Sequence, residues 1–160
     1  SFEPNLRMEW EKAGLAQERL IVSPRVPIEE HLARVGLADL FIDTYPCGSG
    51  ATANDVLWSG LPLLALAGST MVSRMAGSLL GAVGLPELVA VSYEDYEAKA
   101  VYFAEHPQEL RSLRERLTSN KLAHPLFDTP RFVRNLEKGY KIMAQRAWSG
   151  QEPANIAVAE

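Results

Sequence analysis

Cysteine, histidine and long apolar runs are what this chain has least of. Its 160 residues include one cysteine, Cys47, and three histidines, His31, His106 and His124. One thiol cannot close an internal disulfide, and no Cys/His pattern has zinc-ligand spacing, so no metal site is expected. The acidic cluster Glu94-Asp95-Glu97 falls on a predicted helix and reads as a solvated face. The longest apolar run, Leu61 to Ala67, is interrupted by Pro62 and is far too short to cross a bilayer. Ser1-Phe2-Glu3-Pro4 shows no basic stretch followed by an apolar one, so no signal peptide is visible. Basic charge is also short: the formal net charge is -4, which argues against general nucleic-acid binding. The expectation is a soluble cytoplasmic domain in a reducing compartment, with neither a membrane nor a nucleic acid as partner.

What is present suits one compact domain: 47% of the residues are apolar, enough for a core. Four short apolar runs read as strands: Leu20-Ile21-Val22, Asp39-Leu40-Phe41-Ile42-Asp43, Leu61 to Leu66, and Leu88 to Val91. Near-continuous apolar strands have both faces covered, the mark of a parallel α/β sheet. The segments between them read as helices over 4–13, 27–35, 53–59, 71–82, 93–105 and 107–118. Ser92 with Asp95 forms a capping box, and Pro107 opens the next helix. A last helix over 130–147, with Thr129 as N-cap, carries the stripe Phe132, Val133, Leu136, Tyr140, Met143 and Ala147. Residues 1–149 then form the domain, and 150–160 a flexible tail. The chain opens on a helix, which suggests strands upstream of Ser1.

The strongest candidate site runs from Asp43 to Asp55. A buried strand ends there, a turn of small residues follows, and a helix begins. Ligands of open parallel sheets bind beyond the carboxyl ends of the strands. A helix N-terminus offers unpaired amides and a partial positive charge, which suits a diphosphate and needs no lysine. Gly48, Ser49, Gly50 and Ala51 would let an anion approach the backbone. The same residues also read as an ordinary turn, and Thr52 with Asp55 as an ordinary capping box. Two further candidates carry the same ambiguity. His31 and Arg34 share a helix face, where they could meet a base or be solvated. Gly68-Ser69-Thr70 opens another strand-to-helix turn, as a ligand contact or as a cap for the next helix. Arg74 could face the same cleft or simply be exposed. Cys47 reads as a structural thiol.

Several stretches in order resemble the O-GlcNAc transferase family, including its SPINDLY and TPR-linked members. They are Arg19-Leu20-Ile21-Val22-Ser23-Pro24, Pro27-x-Glu29-Glu30-His31, Leu37-Ala38-Asp39, Asp43-Thr44, and Thr52-x-x-Asp55-Val56-Leu57-Trp58-Ser59-Gly60-x-Pro62. Ser73-Arg74 with Ser78, Tyr93 to Tyr96, and Pro125-Leu126-Phe127-Asp128-Thr129 continue it, over about residues 4–147. The resemblance implies a Rossmann-like parallel sheet with helices on both faces, part of the C-terminal lobe of a GT-B glycosyltransferase. It implies an inverting, metal-independent transfer from a UDP-sugar, with UDP-GlcNAc the expected donor, to Ser or Thr hydroxyls of an acceptor protein, with no cofactor. By the same resemblance, Val26, His31 and Arg34 lie at the uracil, and Gly50, Ala51 and Thr52 hold the diphosphate. Asp55 lies near the ribose or the diphosphate-binding turn. The implied partners are an upstream N-terminal catalytic lobe and TPR repeats, and an exposed sheet edge would permit self-association.

The chain departs from the family pattern at two places. The family usually has His-Thr-Thr where this chain has Gly50-Ala51-Thr52, and a lysine where it has Ile28. The family's phosphate-contacting lysine belongs upstream of Ser1, and no general base is visible, so the chain alone is expected to be inactive. Two rivals stand beside this reading: a non-catalytic GT-B-like interaction module, and a related sugar-nucleotide enzyme such as an epimerase.

Overall fold

The computed structural model describes residues 2–119 and 121–158 and divides them between two compact units, one through His31 and one from Leu32 onward. The first unit holds helix α1 (Phe2–Lys12), a 3-10 turn at Gln17–Arg19, and the beginning of helix α2 (Ile28–Val35). The ion pairs Arg7–Glu3 and Lys12–Glu9 run along α1, and the Trp10 indole N–H donates to the Ala16 carbonyl at 2.9 Å. The run Leu20-Ile21-Val22, expected as a strand, forms none: its residues carry no sheet pairing and Ile21 is 82% exposed. An apolar run becomes a strand only beside another strand that takes its N–H and C=O groups, and the described part of this unit offers none.

Among its described residues the second unit contains three strands, β1 (Phe41–Ile42), β2 (Leu63–Leu66) and β3 (Val89–Ala90), ordered β1-β2-β3 and all parallel. Phe41 faces Leu63 across the first pair and Ala65 faces Val89 across the second. All four residues of β2 are buried. Successive side chains of a strand point to opposite faces, so both faces of the sheet are covered, as the apolar runs predict. The helices are α3 (Ala51–Trp58), α4 (Met75–Ala82), α5 (Tyr93–Glu105), α6 (Pro107–Ser119) and α7 (Thr129–Trp148). The core joins Val56 and Leu57 of α3, Leu63 of β2, Leu80 of α4, Phe103 of α5, and Leu110, Leu113 and Leu117 of α6. Side chains of this kind contribute about 1.5–3 kcal/mol each on full burial.

The helix ends follow local chemistry. Ser92 caps α5: its hydroxyl accepts from the Asp95 N–H at 3.1 Å, and the Asp95 carboxylate takes the Val91 N–H and the Lys99 ammonium. Two expected starts are corrected. The cap of α7 is Asp128, whose carboxylate accepts from the Arg131 N–H at 3.0 Å, while Thr129 is the first helical residue. Helix α4 begins at Met75, because residues 70–73 are tied into a turn. The stripe of α7 is present, but no residue of that helix is buried; Phe132 and Tyr140 are among its exposed side chains. Beyond Gly150, residues 151–158 have no regular secondary structure and fold back on α7, where Arg146 donates to the Glu152 carbonyl at 2.7 Å; Ala159 and Glu160, the end of the expected tail, lie outside the described residues. No helix among the described residues is long and apolar enough to cross a membrane.

Candidate functional site

The carboxyl end of β1 leads into a turn built around one buried carboxylate. Asp43 is only 7% exposed. Its backbone N–H still belongs to the sheet and donates to the Leu64 carbonyl at 3.0 Å. Its carboxylate accepts the Ser49 N–H, at 2.9 Å to Oδ1 and 3.2 Å to Oδ2. The chain thus closes on itself six residues later, with Thr44 Oγ1 donating to the Cys47 carbonyl at 2.7 Å and a cis peptide bond between Tyr45 and Pro46. Cys47 is a free, exposed thiol.

The Asp43–Ser49 closure fixes where α3 begins. Gly50 is the N-cap residue, and no side chain caps the helix. The first helical hydrogen bond runs from the Asn54 N–H to the Gly50 carbonyl. Among the described residues nothing accepts from the N–H groups of Ala51, Thr52 and Ala53. The capping-box reading of Thr52 and Asp55 is therefore not realised: Thr52 is the second residue of the helix and Asp55 lies a turn further on. Ala51 and Thr52 are exposed. The Ala51 and Thr52 amides and the positive end of a helix dipole thus face outward at the carboxyl edge of a parallel sheet, while Ala53 is fully buried behind them.

A second loop supports the first. In the turn after β2, the Thr70 and Ser73 hydroxyls lie 2.9 Å apart, and Ser73 Oγ also donates to the Thr70 carbonyl at 3.0 Å. This pair absorbs the polar groups expected to cap α4; the N-cap residue is Arg74, again with no side-chain cap. Gly68 lets the two loops touch, since a Cβ there would lie 2.8 Å from Ser73 Cβ and 3.0 Å from the Tyr45 ring. From α5, the Tyr96 hydroxyl donates to the Asp43 carbonyl at 2.5 Å. Burial first, and the Asp43 charge second, push the Tyr96 phenol up to about 12.

The neutral Tyr96 is the form the fold favours. Its stabilising effect is complete below the ordinary tyrosine pKa of about 10 and is lost as pH rises toward 12. Urea midpoints of the parent chain are expected to fall across that window. In Tyr96→Phe that fall is expected to be reduced, with a loss of about 0.5–1.5 kcal/mol at neutral pH from the missing hydrogen bond.

Between the start of α3 and α4 lies an open cleft of about 690 Å³. Gly50, Ala51 and Asn54 line it from α3; Arg74, Met75 and Ser78 line it from the other side. Met75 sits where a side chain at position 50 would stand: a Cβ on Gly50 would be 2.5 Å from its methyl carbon. Sequence reasoning placed Asn54 in the candidate stretch without a role and missed Met75 as a neighbour of the turn. It also missed the Asp43–Ser49 closure and its Tyr96 support.

The structure gathers Gly50, Ala51, Thr52 and Asp55 on the first turns of α3. Arg34 lies near the end of α2 and is half-buried. Val26 and His31 belong to the first unit, both half-buried; the His31 N–H donates to the Pro27 carbonyl, and the boundary between the units falls just after it. No cluster of His, Cys, Asp or Glu suited to a metal occurs among the described residues.

Comparison with known proteins agrees with the α/β architecture. A probable UDP-N-acetylglucosamine–peptide N-acetylglucosaminyltransferase SEC of Arabidopsis thaliana is 39% identical over 92% of this chain and 15% of its own length. The corresponding enzyme of Caenorhabditis elegans is 32% identical over 92% of this chain and 13% of its own. A solved mutant O-GlcNAc transferase of Thermobaculum terrenum superposes with a TM-score of 0.81 at 32% identity, covering 88% of this chain and 27% of that one. The chain therefore spans only about a seventh of the length of these curated relatives. Its sheet and helices are part of the C-terminal lobe of a GT-B fold, as the resemblance implies. With the description of glycosyl transferase family 41 matching residues 1–136, the chain belongs to that family, among the O-GlcNAc transferases and SPINDLY proteins, as a C-terminal piece of the catalytic region.

Proposed function

We propose that this chain holds the UDP part of a UDP-sugar, with UDP-GlcNAc as donor, for transfer of the sugar to Ser or Thr hydroxyls of proteins. The observation that carries the reading is the uncapped start of α3, where the amides of the exposed Ala51 and Thr52 lie open beyond β1. The relatives named as UDP-N-acetylglucosamine–peptide N-acetylglucosaminyltransferases support the donor and the acceptor class. In this reading the acceptor oxygen attacks the anomeric carbon, the bond to the β-phosphate breaks with inversion, and UDP leaves. Negative charge grows on the leaving phosphate. Fixed amides and a helix dipole aimed there oppose it without reorganising and without a metal. Thr52 adds a hydroxyl at the same turn, and Val26, His31 and Arg34 serve the uracil. The chemical step requires the upstream lobe, which supplies the rest of the cleft. The β1 edge opposite β2 is unpaired among the described residues; a further strand, from upstream or from a second copy, would add there.

One observation favours the rival, a module without activity. Gly50 and Ala51 stand in place of the family's His-Thr, and Met75 fills the room beside Gly50. Calorimetric titration with UDP separates the readings. The proposal expects saturable binding at or below millimolar ligand; no saturable heat there would leave the module as the better account.

A further inference from the structure

Arg74, an exposed residue, is the one cation lining the cleft at the start of α3 among the described residues, and none of them pairs with its guanidinium. Among the described residues it enters no ion pair and no side-chain hydrogen bond, although it is the N-cap residue of α4. Among the described residues no carboxylate lines the same cleft. The walls beside it are the apolar side chains of Met71, Met75 and Leu79. An unpaired guanidinium thus shares one open, partly apolar cleft with Ala51, whose amide is one of those left open at the start of α3. Arginine presents a planar fork of donors that matches two oxygens of a phosphate at once.

We infer that Arg74 binds the terminal phosphate of the nucleotide diphosphate, the one that carries the sugar, while the α3 amides hold the inner one. This rests on the UDP-binding reading above and adds to it a phosphate-binding residue from a different loop. It also accounts for the tolerance of Gly50 at this turn. A side chain at position 50 would displace Met75, whereas a cation at position 74 reaches the cavity from the opposite wall. Asn54 and Ser78, on the two sides of the same cleft, are left to face the sugar.

The test is a ligand ladder of UDP, UMP and uridine, titrated into the full natural polypeptide and into its Arg74→Ala and Arg74→Lys variants. Truncating a side chain without partners should leave the melting temperature unchanged. Arg74→Ala is expected to weaken UDP about tenfold, the scale of one charge-assisted hydrogen-bonded contact, to weaken UMP much less, and to leave uridine unchanged. Arg74→Lys is expected to fall between parent and alanine, and added salt to narrow the gap. If the parent binds UDP and Arg74→Ala binds it equally well, or loses UDP and uridine alike, the assignment of Arg74 is overturned while the UDP site stands. If the parent binds none of the three, the UDP reading falls, and the role of Arg74 with it.

Discussion

The Ala51→Asp variant is expected to be more stable than the parent and much poorer at holding UDP. Ala51 is exposed at the first position of α3, behind a glycine that offers no cap. A carboxylate there would meet the open amides and the positive end of the helix dipole, adding about 0.3–1 kcal/mol of stability. The same carboxylate would stand where the diphosphate is proposed to lodge. Like charges at about 4 Å repel by roughly 1 kcal/mol in bulk water and roughly 4 kcal/mol near a protein surface, so affinity should fall about tenfold or more. The opposite signs make the variant informative, because general damage lowers both quantities together. Thermal unfolding and calorimetric titration on the same preparation check it; unchanged UDP affinity in a stabilised variant would remove the phosphate from the start of α3.

A second large effect is expected from Asp43→Ala. The carboxylate is buried and holds the Ser49 N–H that closes the turn ahead of Gly50. Removing it leaves that N–H without its partner, at a cost of about 1–3 kcal/mol. The start of α3 also loses its anchor to the sheet, so UDP affinity should fall although Asp43 touches no ligand. Asp43→Asn keeps one acceptor oxygen and should recover part of both losses. A chemical denaturation curve paired with UDP titration reads the two effects. Full UDP affinity in a destabilised Asp43→Ala chain would show that the turn does not position the amides.

The parts of the fold that are local in sequence were readable before the structure. The apolar runs at Phe41–Ile42 and Leu63–Leu66 became neighbouring parallel strands because both faces of each needed cover. Ser92 with Asp95 marked the start of α5, and the leucines of α6 marked its buried face. Competition between nearby groups was harder to read. Asp128 and Thr129 can both cap a helix, and the carboxylate wins. Thr70 and Ser73 bind each other and delay α4 to Met75. The Leu20–Val22 run shows the opposite problem: its composition suits a strand, but strand formation depends on a neighbour that composition does not encode. The stripe of α7 likewise defines a face without saying what would cover it.

The candidate site divides the same way. The turn of small residues after β1 is visible in the sequence, and with it the prospect of open amides. What holds that turn in place is long-range. Tyr96 reaches the Asp43 carbonyl across 53 positions, and Met75 stands against Gly50 from another helix. Neither contact leaves a local pattern.

The most direct measurement is of the amides themselves. In two-dimensional NMR spectra of the isotopically labelled protein, the backbone N–H signals of Ala51 and Thr52 should shift as UDP is added. They should saturate along one binding curve, with uridine alone moving them far less. Movement elsewhere with these two amides still would contradict the account, because the nucleotide would then be held by something other than the open start of α3.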